Sequence, residues 1–85
     1  MITARQTRAA RALLAWTQET LAEKALVSLT ALKRLESVNG LDVHESTRDQ
    51  VRRALEAEGI IFLTSDRGEG VMIVGKDAAR SMQPR

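Results

Sequence analysis

Residues 17–36, with the sequence TQETLAEKALVSLTALKRLE, contain the pattern that decides the fold. The Thr17 hydroxyl can accept a hydrogen bond from an unpaired backbone N–H one turn later, so Thr17 predicts the start of a helix. Ser28 has the same capacity, and it predicts the end of that helix and the start of a second one. Two short helices are unstable alone in water, so flanking segments must cover their apolar stripes. Those stripes consist of Leu21, Ala22, Ala25, Ala31, Leu32 and Leu35.

A longer helix is predicted on each side of this pair. Thr3 and Gln6 have the spacing of a capping box, which places the first helix at residues 3–15. Ser46 and Asp49 have a similar spacing and place the other helix at residues 46–58. The inward stripe of the first helix is expected to be Ala9, Ala10, Leu13 and Leu14, with Thr7 as a weaker member. That of the other helix is expected to be Val51, Ala54 and Leu55.

The hydrophobic period changes after Gly59, which is a suitable residue to end a helix. Two apolar runs, 60–64 and 71–74, flank the turn-rich segment SDRGEG and predict a β-hairpin. Both runs are apolar on both faces, whereas a strand with one solvated face alternates. We therefore expect one face to pack on the helices, and the other face or an edge to contact a second subunit. The residues assigned to dimerisation are Ile61, Phe62, Leu63, Val71, Met72, Ile73 and Val74.

Length and composition limit the classes of protein. Eighty-five residues form one small domain, and a chain of this size buries only about 60–65% of its unfolded surface, so dimerisation is expected to stabilise it. The chain has no cysteine, which excludes disulfides, thiolate metal sites and cysteine nucleophiles. No apolar run approaches the roughly 20 residues that span a bilayer. The N-terminus carries no apolar signal-peptide segment, so a cytoplasmic location is expected.

The net charge of +2 is unevenly distributed. Residues 1–35 contain six basic and two acidic side chains, whereas the remaining residues contain seven basic and nine acidic ones. A basic first half is typical of a surface that faces phosphates. The alternative is an ordinary solvated helix face.

Catalytic patterns are missing from the sequence. The segment Gly68-Glu69-Gly70 joins two predicted strands and lacks the third glycine of a dinucleotide-binding loop, because position 73 is isoleucine. His44 is the only histidine, and it is expected on a loop surface. Asp42, His44 and Ser46 are close only in sequence, which does not make a hydrolytic triad. We expect no enzyme activity, no cofactor and no metal.

The central pattern resembles the Cro/cI-type helix-turn-helix domain of bacterial and phage regulators (XRE family, lambda-repressor-like). The resemblance covers roughly residues 4–58. It rests on Leu14, Gln18, Leu21, Ala22, Val27, Ser28, Leu32, Leu35 and Glu36. From the residues themselves we expect a C-terminal β-hairpin at 60–75 and, because the last segment is polar with a late proline, a flexible tail at 76–85. For the preceding residues the resemblance implies a mainly α fold, a four-helix lambda-repressor-like domain at 1–59. It also implies that Trp16 packs half-buried at a helix junction.

The implied function is that of a transcriptional regulator that binds double-stranded DNA as a homodimer on a palindromic operator. The helix that begins at Ser28 is expected to enter the major groove, and Gln18 to hold a backbone phosphate. Ser37, Asn39 and Gly40 follow that helix, and they either touch phosphate or form a plain C-terminal cap. The expected base-reading residues are Ser28, Leu29, Thr30, Lys33 and Arg34. The expected phosphate-binding residues are Thr17, Gln18, Arg5, Arg8, Arg11, Ser37 and Asn39.

Two residues depart from the family pattern. Leu26 occupies a turn position where the family usually has glycine, and a left-handed backbone there costs a leucine on the order of 1 kcal/mol or more. Leu29 occupies a base-reading position that is often polar, and leucine can contact only a thymine methyl. Both add apolar surface beside the reading face. The alternative function is therefore a protein-binding module of the same fold, an antiactivator or antitoxin-like partner of another regulatory protein.

Overall fold

The computed structural model describes residues 2–37 and 42–75. These residues form four helices followed by a two-stranded antiparallel hairpin, which confirms the predicted mainly α fold with a C-terminal hairpin. The predicted turn at Asn39-Gly40 and the predicted tail at 76–85 lie outside the described residues. The elements are α1 (Ala4–Leu14), α2 (Gln18–Ala25), α3 (Leu29–Leu35), α4 (Glu45–Glu56), β1 (Ile60–Ser65) and β2 (Gly68–Ile73).

Hydroxyl caps begin the first three helices, as predicted. Thr3 and Gln6 form the complete capping box at α1. The Thr17 hydroxyl accepts from the Thr20 N–H at 3.1 Å, and the Ser28 hydroxyl accepts from the Ala31 N–H at 3.0 Å. Each bond satisfies one of the donors that a helix N-terminus leaves unpaired.

The predicted start of α4 at Ser46 is wrong. The helix begins at Glu45 with His44 as its N-cap residue, and no side chain caps it. Beginning there puts Glu45 in the first turn, where a negative charge is favourable, and within 3.5 Å of Arg48. Asp49 does not complete a capping box, because its carboxylate pairs with two arginines of the following turn.

Left-handed residues end α1 and α2. Ala15 has φ 57° and Leu26 has φ 58°, although neither is glycine. After α2, the Val27 N–H donates to the Ala22 carbonyl at 3.0 Å and the Leu26 N–H donates to the Glu23 carbonyl at 3.3 Å. This is the Schellman arrangement, which satisfies the last carbonyl groups of a helix. The left-handed conformation that the sequence suggested for Leu26 is therefore present.

The core lies between α2, α3 and α4, with α1 and the hairpin closing one side. Trp16 is half-buried and packs against it, as expected. The buried apolar residues are Ile2, Ala10, Leu21, Ala22, Ala25, Leu32, Leu35, Val51, Leu55 and Ile60. Among the described residues, no helix is long and apolar enough to cross a membrane.

The predicted inward stripe of α1 is wrong at two positions. Ala9 and Leu13 are exposed, whereas Gln6 and Thr7 are buried. The buried polar groups are satisfied: the Thr7 hydroxyl donates to the Thr3 carbonyl at 2.9 Å. The Gln6 amide nitrogen donates to two hairpin carbonyl oxygens, which gives α1 a polar inner face where it meets the sheet.

The hairpin turn is shorter than predicted. Only Asp66 and Arg67 lie between the strands, because the register extends from the Ile60–Ile73 pair to the Ser65–Gly68 pair. Opposite residues of an antiparallel pair share a face. The inner face contains Phe62, Val71 and Ile73, which pack against the core together with buried Ile60. The expectation that one face packs on the helices is therefore confirmed.

Candidate functional site

The outer surface of α3 presents most of the residues that were expected to read bases. Ser28, Thr30, Lys33 and Arg34 are exposed, and Leu29 is half-buried. Leu32 and Leu35, on the opposite side of the helix, are buried in the core. The Ser28 oxygen accepts the capping bond, but its O–H is still able to donate to a ligand. The helix thus combines an apolar anchor with a polar outer surface.

An open groove of about 460 Å³ runs along this surface. Ser28, Thr30 and Arg34 line one wall, and His44 and Thr47 line the other. Asp42 and Val43 also line the groove. No local pattern predicts His44 or Thr47 beside α3, because their position depends on how α4 packs. They are the residues of the site that sequence reasoning missed.

A buried carboxylate holds the end of α3 against α1 and α2. The side chain of Glu36 is 2% exposed, and it accepts two hydrogen bonds from Arg11, at 2.7 and 2.8 Å. The Gln18 amide nitrogen donates to the same carboxylate at 3.0 Å. Arg8 donates to the Glu36 carbonyl at 2.6 Å, and Arg11 to the Trp16 carbonyl at 3.1 Å. The hydrogen bond from Arg11 to Glu36 raises the pKa of Arg11, with burial acting in the opposite direction.

The three arginines of α1 differ in the groups that they bind. Arg5 is exposed and pairs with Glu69 at 2.9 Å. Arg8 reaches the end of α3, and Arg11 is paired with buried Glu36. Because its guanidinium already serves an internal carboxylate, Arg11 is not among the phosphate contacts that we propose below.

The other expected phosphate residues lie near the start of α2 and the end of α3. Thr17 uses its hydroxyl as the α2 cap and also donates to the Thr20 hydroxyl at 3.0 Å. Gln18 is half-buried and keeps a second amide hydrogen. Ser37 is half-buried directly after α3, and its N–H donates to the Arg34 carbonyl at 3.2 Å. Asn39 lies outside the described residues.

The cations of α3 and α4 differ in their partners. In α4, Arg52 pairs with Asp49 and Glu56, and Arg53 lies 2.9 Å from Asp49. The hydrogen bond from Arg52 holds the pKa of Asp49 below its usual value. Lys33 and Arg34 of α3 have no ion pair among the described residues, and α3 contains no acidic residue. The two cations of α3 are thus available to a ligand, unlike Arg52 and Arg53 of α4.

Among residues 2–37 and 42–75, no group of three or more histidine, cysteine, aspartate or glutamate side chains is arranged to hold a metal ion. The chain matches no protein-family model, no curated protein and no solved structure.

Proposed function

We propose that the chain is a sequence-specific DNA-binding transcriptional regulator with a lambda-repressor-like helix-turn-helix, formed by α2, the Leu26 turn and α3. The observation that carries this proposal is the outer surface of α3, where Lys33 and Arg34 are exposed and have no ion pair within residues 2–37 and 42–75. Hydroxyl groups accompany them, and no carboxylate lies on the helix. Such a surface suits the acceptor-rich edge of guanine and the phosphate backbone.

Each residue of this surface has a proposed role. Arg34 donates a bidentate pair of hydrogen bonds to a guanine, a contact worth about 1–3 kcal/mol of discrimination. Ser28 and Thr30 bond base edges, while Leu29 contacts a thymine methyl. Lys33 binds phosphate. Gln18, Arg8 and Ser37 supply further phosphate contacts around it. Thr17 joins them only when its hydroxyl hydrogen leaves the Thr20 hydroxyl, and Arg5 only when its exposed pair with Glu69 opens.

The Glu36 network supports this function because it fixes the direction of α3. A reading helix must be held firmly enough that its side chains meet base edges at hydrogen-bonding distance. Arg11 and Gln18 join the end of α3 to α1 and α2 through a carboxylate that is shielded from water. A homodimer then presents two such helices about 34 Å apart, to successive major grooves of a palindrome.

Selection of bound duplexes from a random DNA pool at physiological salt tests the proposal. We expect a palindromic consensus from the native sequence. Arg34→Ala should relax the preference at one base pair of each half-site, whereas Lys33→Ala should weaken binding to all sequences and lower the salt dependence by about one unit of slope. Arg53→Ala is the matched control, because Arg53 is an exposed arginine of α4 that already has an acidic partner. Failure to enrich any sequence would overturn the proposal.

One observation favours a second candidate function, a protein-binding antiactivator or antitoxin-like module. Leu26 is 83% exposed and left-handed, so it costs the fold free energy without packing inside the chain. We infer that Leu26 and Leu29, which are three residues apart, form a small apolar patch beside α3. In gel-shift assays, Leu29→Glu should abolish the DNA complex if this surface reads DNA. An unchanged DNA complex together with the loss of a protein partner would favour the protein-binding function.

A further inference from the structure

The outer face of the hairpin is apolar and uncovered by the described residues. Ile61, Leu63 and Met72 are 40%, 47% and 46% exposed. The register pairs Ile61 with Met72 and Leu63 with Gly70, so these residues share the face that points away from the helices. We call this surface, Ile61, Leu63, Gly70 and Met72, the outer patch.

The outer patch has a projection beside a notch. Leu63 projects from β1, whereas its direct neighbour Gly70 has no side chain. A Cβ atom at Gly70 would find no atom within 4 Å, so the space above it is open. A leucine from another molecule can occupy a notch of this kind. The side chains around the notch would then surround the leucine closely, as buried apolar side chains are in protein interiors.

The lack of charged residues on the outer patch restricts the kind of partner that it can bind. The same face continues through Ser65 and Gly68, and it bears no charged residue up to the tip of the hairpin. A charged or nucleic-acid partner would bury its own charges here without compensation, which is costly. A second copy of the same surface brings no charge and offers both a projection and a notch.

We propose that the outer patch binds the outer patch of a second copy, with Leu63 of each subunit lying over Gly70 of the other. A two-fold axis that runs between the strands and parallel to them produces this contact twice and also places Ile61 against the partner's Met72. Such an interface is isologous. It leaves α3 of both subunits uncovered, because the outer patch lies on the side of the sheet away from the helices. This inference rests on the proposed function in one respect: the outer-patch interface supplies the dimer that binding to a palindrome requires.

The size of the outer patch predicts a weak dimer. Three side chains per subunit, each less than half exposed, are far fewer than the 20–30 residues a side of a standard interface. The protein should therefore exchange between monomer and dimer, with a dissociation constant that is roughly micromolar or weaker. Binding to adjacent half-sites would then complete dimerisation on DNA.

Sedimentation velocity of the full chain over a wide concentration range, without DNA, tests the interface. Leu63→Glu should raise the dimer dissociation constant by about 100-fold or more, because it buries an unpaired carboxylate twice. Leu13→Glu is the matched control: Leu13 is 45% exposed, close to the exposure of Leu63, but it lies on α1. This variant should leave the dissociation constant unchanged. Circular dichroism of each variant reports whether it is folded.

Gly70→Val distinguishes the proposed contact between Leu63 and Gly70 from non-specific hydrophobic association. The added side chain meets open space within its own chain, so the monomer should stay folded. It fills the notch, and overpacking predicts that the dissociation constant rises about tenfold. A face that associates only because it is apolar would bind more tightly with valine, and that result would overturn the proposed contact.

Two further results would overturn this inference: a wild-type chain that remains monomeric at every concentration, and a dimer that Leu63→Glu leaves intact. The DNA selection fails or succeeds separately. A palindromic consensus with a protein that never dimerises in solution would remove the outer-patch interface and keep the regulator. A dimer that depends on Leu63 but selects no DNA would do the reverse.

Discussion

Removing the buried carboxylate of Glu36 should destabilise the fold strongly. Glu36→Ala deletes three hydrogen bonds, two from Arg11 and one from Gln18. It also leaves the guanidinium of Arg11, whose side chain is only 21% exposed, without its counter-charge. Breaking a buried ion pair from one side costs about 3–5 kcal/mol. A domain of this length has a stability of about 4–13 kcal/mol, so the variant should lose a large part of it.

A double-mutant cycle isolates the pair from the packing of the two side chains. Arg11→Ala, Glu36→Ala and the double variant are compared by urea unfolding, followed by circular dichroism. Because the double variant buries neither charge alone, it should be more stable than the sum of the two single losses predicts, by about 2 kcal/mol. In thermal unfolding, Glu36→Ala should lower Tm by at least about 12 °C, given about 4–8 °C per kcal/mol.

The same cycle on Arg53 and Asp49 is the control. Their side chains are 74% and 39% exposed, so water and salt screen the charges and the coupling should be too small to resolve. Equal coupling in the two cycles would refute the reasoning, since it would mean that burial adds nothing to the contact between Arg11 and Glu36.

Three other substitutions have clear expected outcomes in the same unfolding assay. Gly59→Ala should lower the free energy of unfolding by about 1–3 kcal/mol, because φ is +95° and the new Cβ would lie 2.2 Å from the Val74 carbonyl oxygen. An unchanged unfolding midpoint would contradict this backbone geometry. Leu26→Gly should raise stability by roughly 0.5–1 kcal/mol through relief of the left-handed strain, and a loss of stability would show that the leucine packs. Gln6→Leu should lower the free energy of unfolding by about 1–3 kcal/mol, because two hairpin carbonyl groups lose their donor. Hydrogen exchange of the hairpin amides should accelerate. Unchanged exchange would contradict the role of Gln6 in holding the hairpin.

Local chemistry made the helix starts predictable. A threonine or serine followed by its bonding partner three residues later is visible in the sequence, and the caps at Thr3, Thr17 and Ser28 are all formed. The predicted start of α4 is wrong because Ser46 has the local chemistry of an N-cap, whereas the actual start at Glu45 depends on its surroundings. The packing of Val43 against the core and the charge of Glu45 near the helix terminus favour the earlier start.

Long-range contacts account for the features that the sequence did not predict. The sequence predicts only the capping box for Gln6, yet its side-chain amide also donates to carbonyl groups 57 and 64 positions away. The spacing of Arg11 predicts a phosphate contact, because nothing local indicates that Arg11 pairs with a residue 25 positions later. The groove beside α3 also depends on both local and long-range features. The spacing of the residues predicts which of them lie on the outer surface of α3. The opposite wall depends on how α4 packs, which no local pattern predicts.

The contact surface of duplex DNA on the protein can be mapped by titrating the isotope-labelled chain with a duplex and following the amide resonances. The proposed function predicts the largest shifts at the start of α2 and along residues 28–37, with smaller shifts at the outer patch where DNA completes the dimer. Arg53, the exposed arginine of α4, should be unaffected. Shifts centred on the hairpin, or none at physiological salt, would contradict the proposal that α3 is the surface that binds DNA.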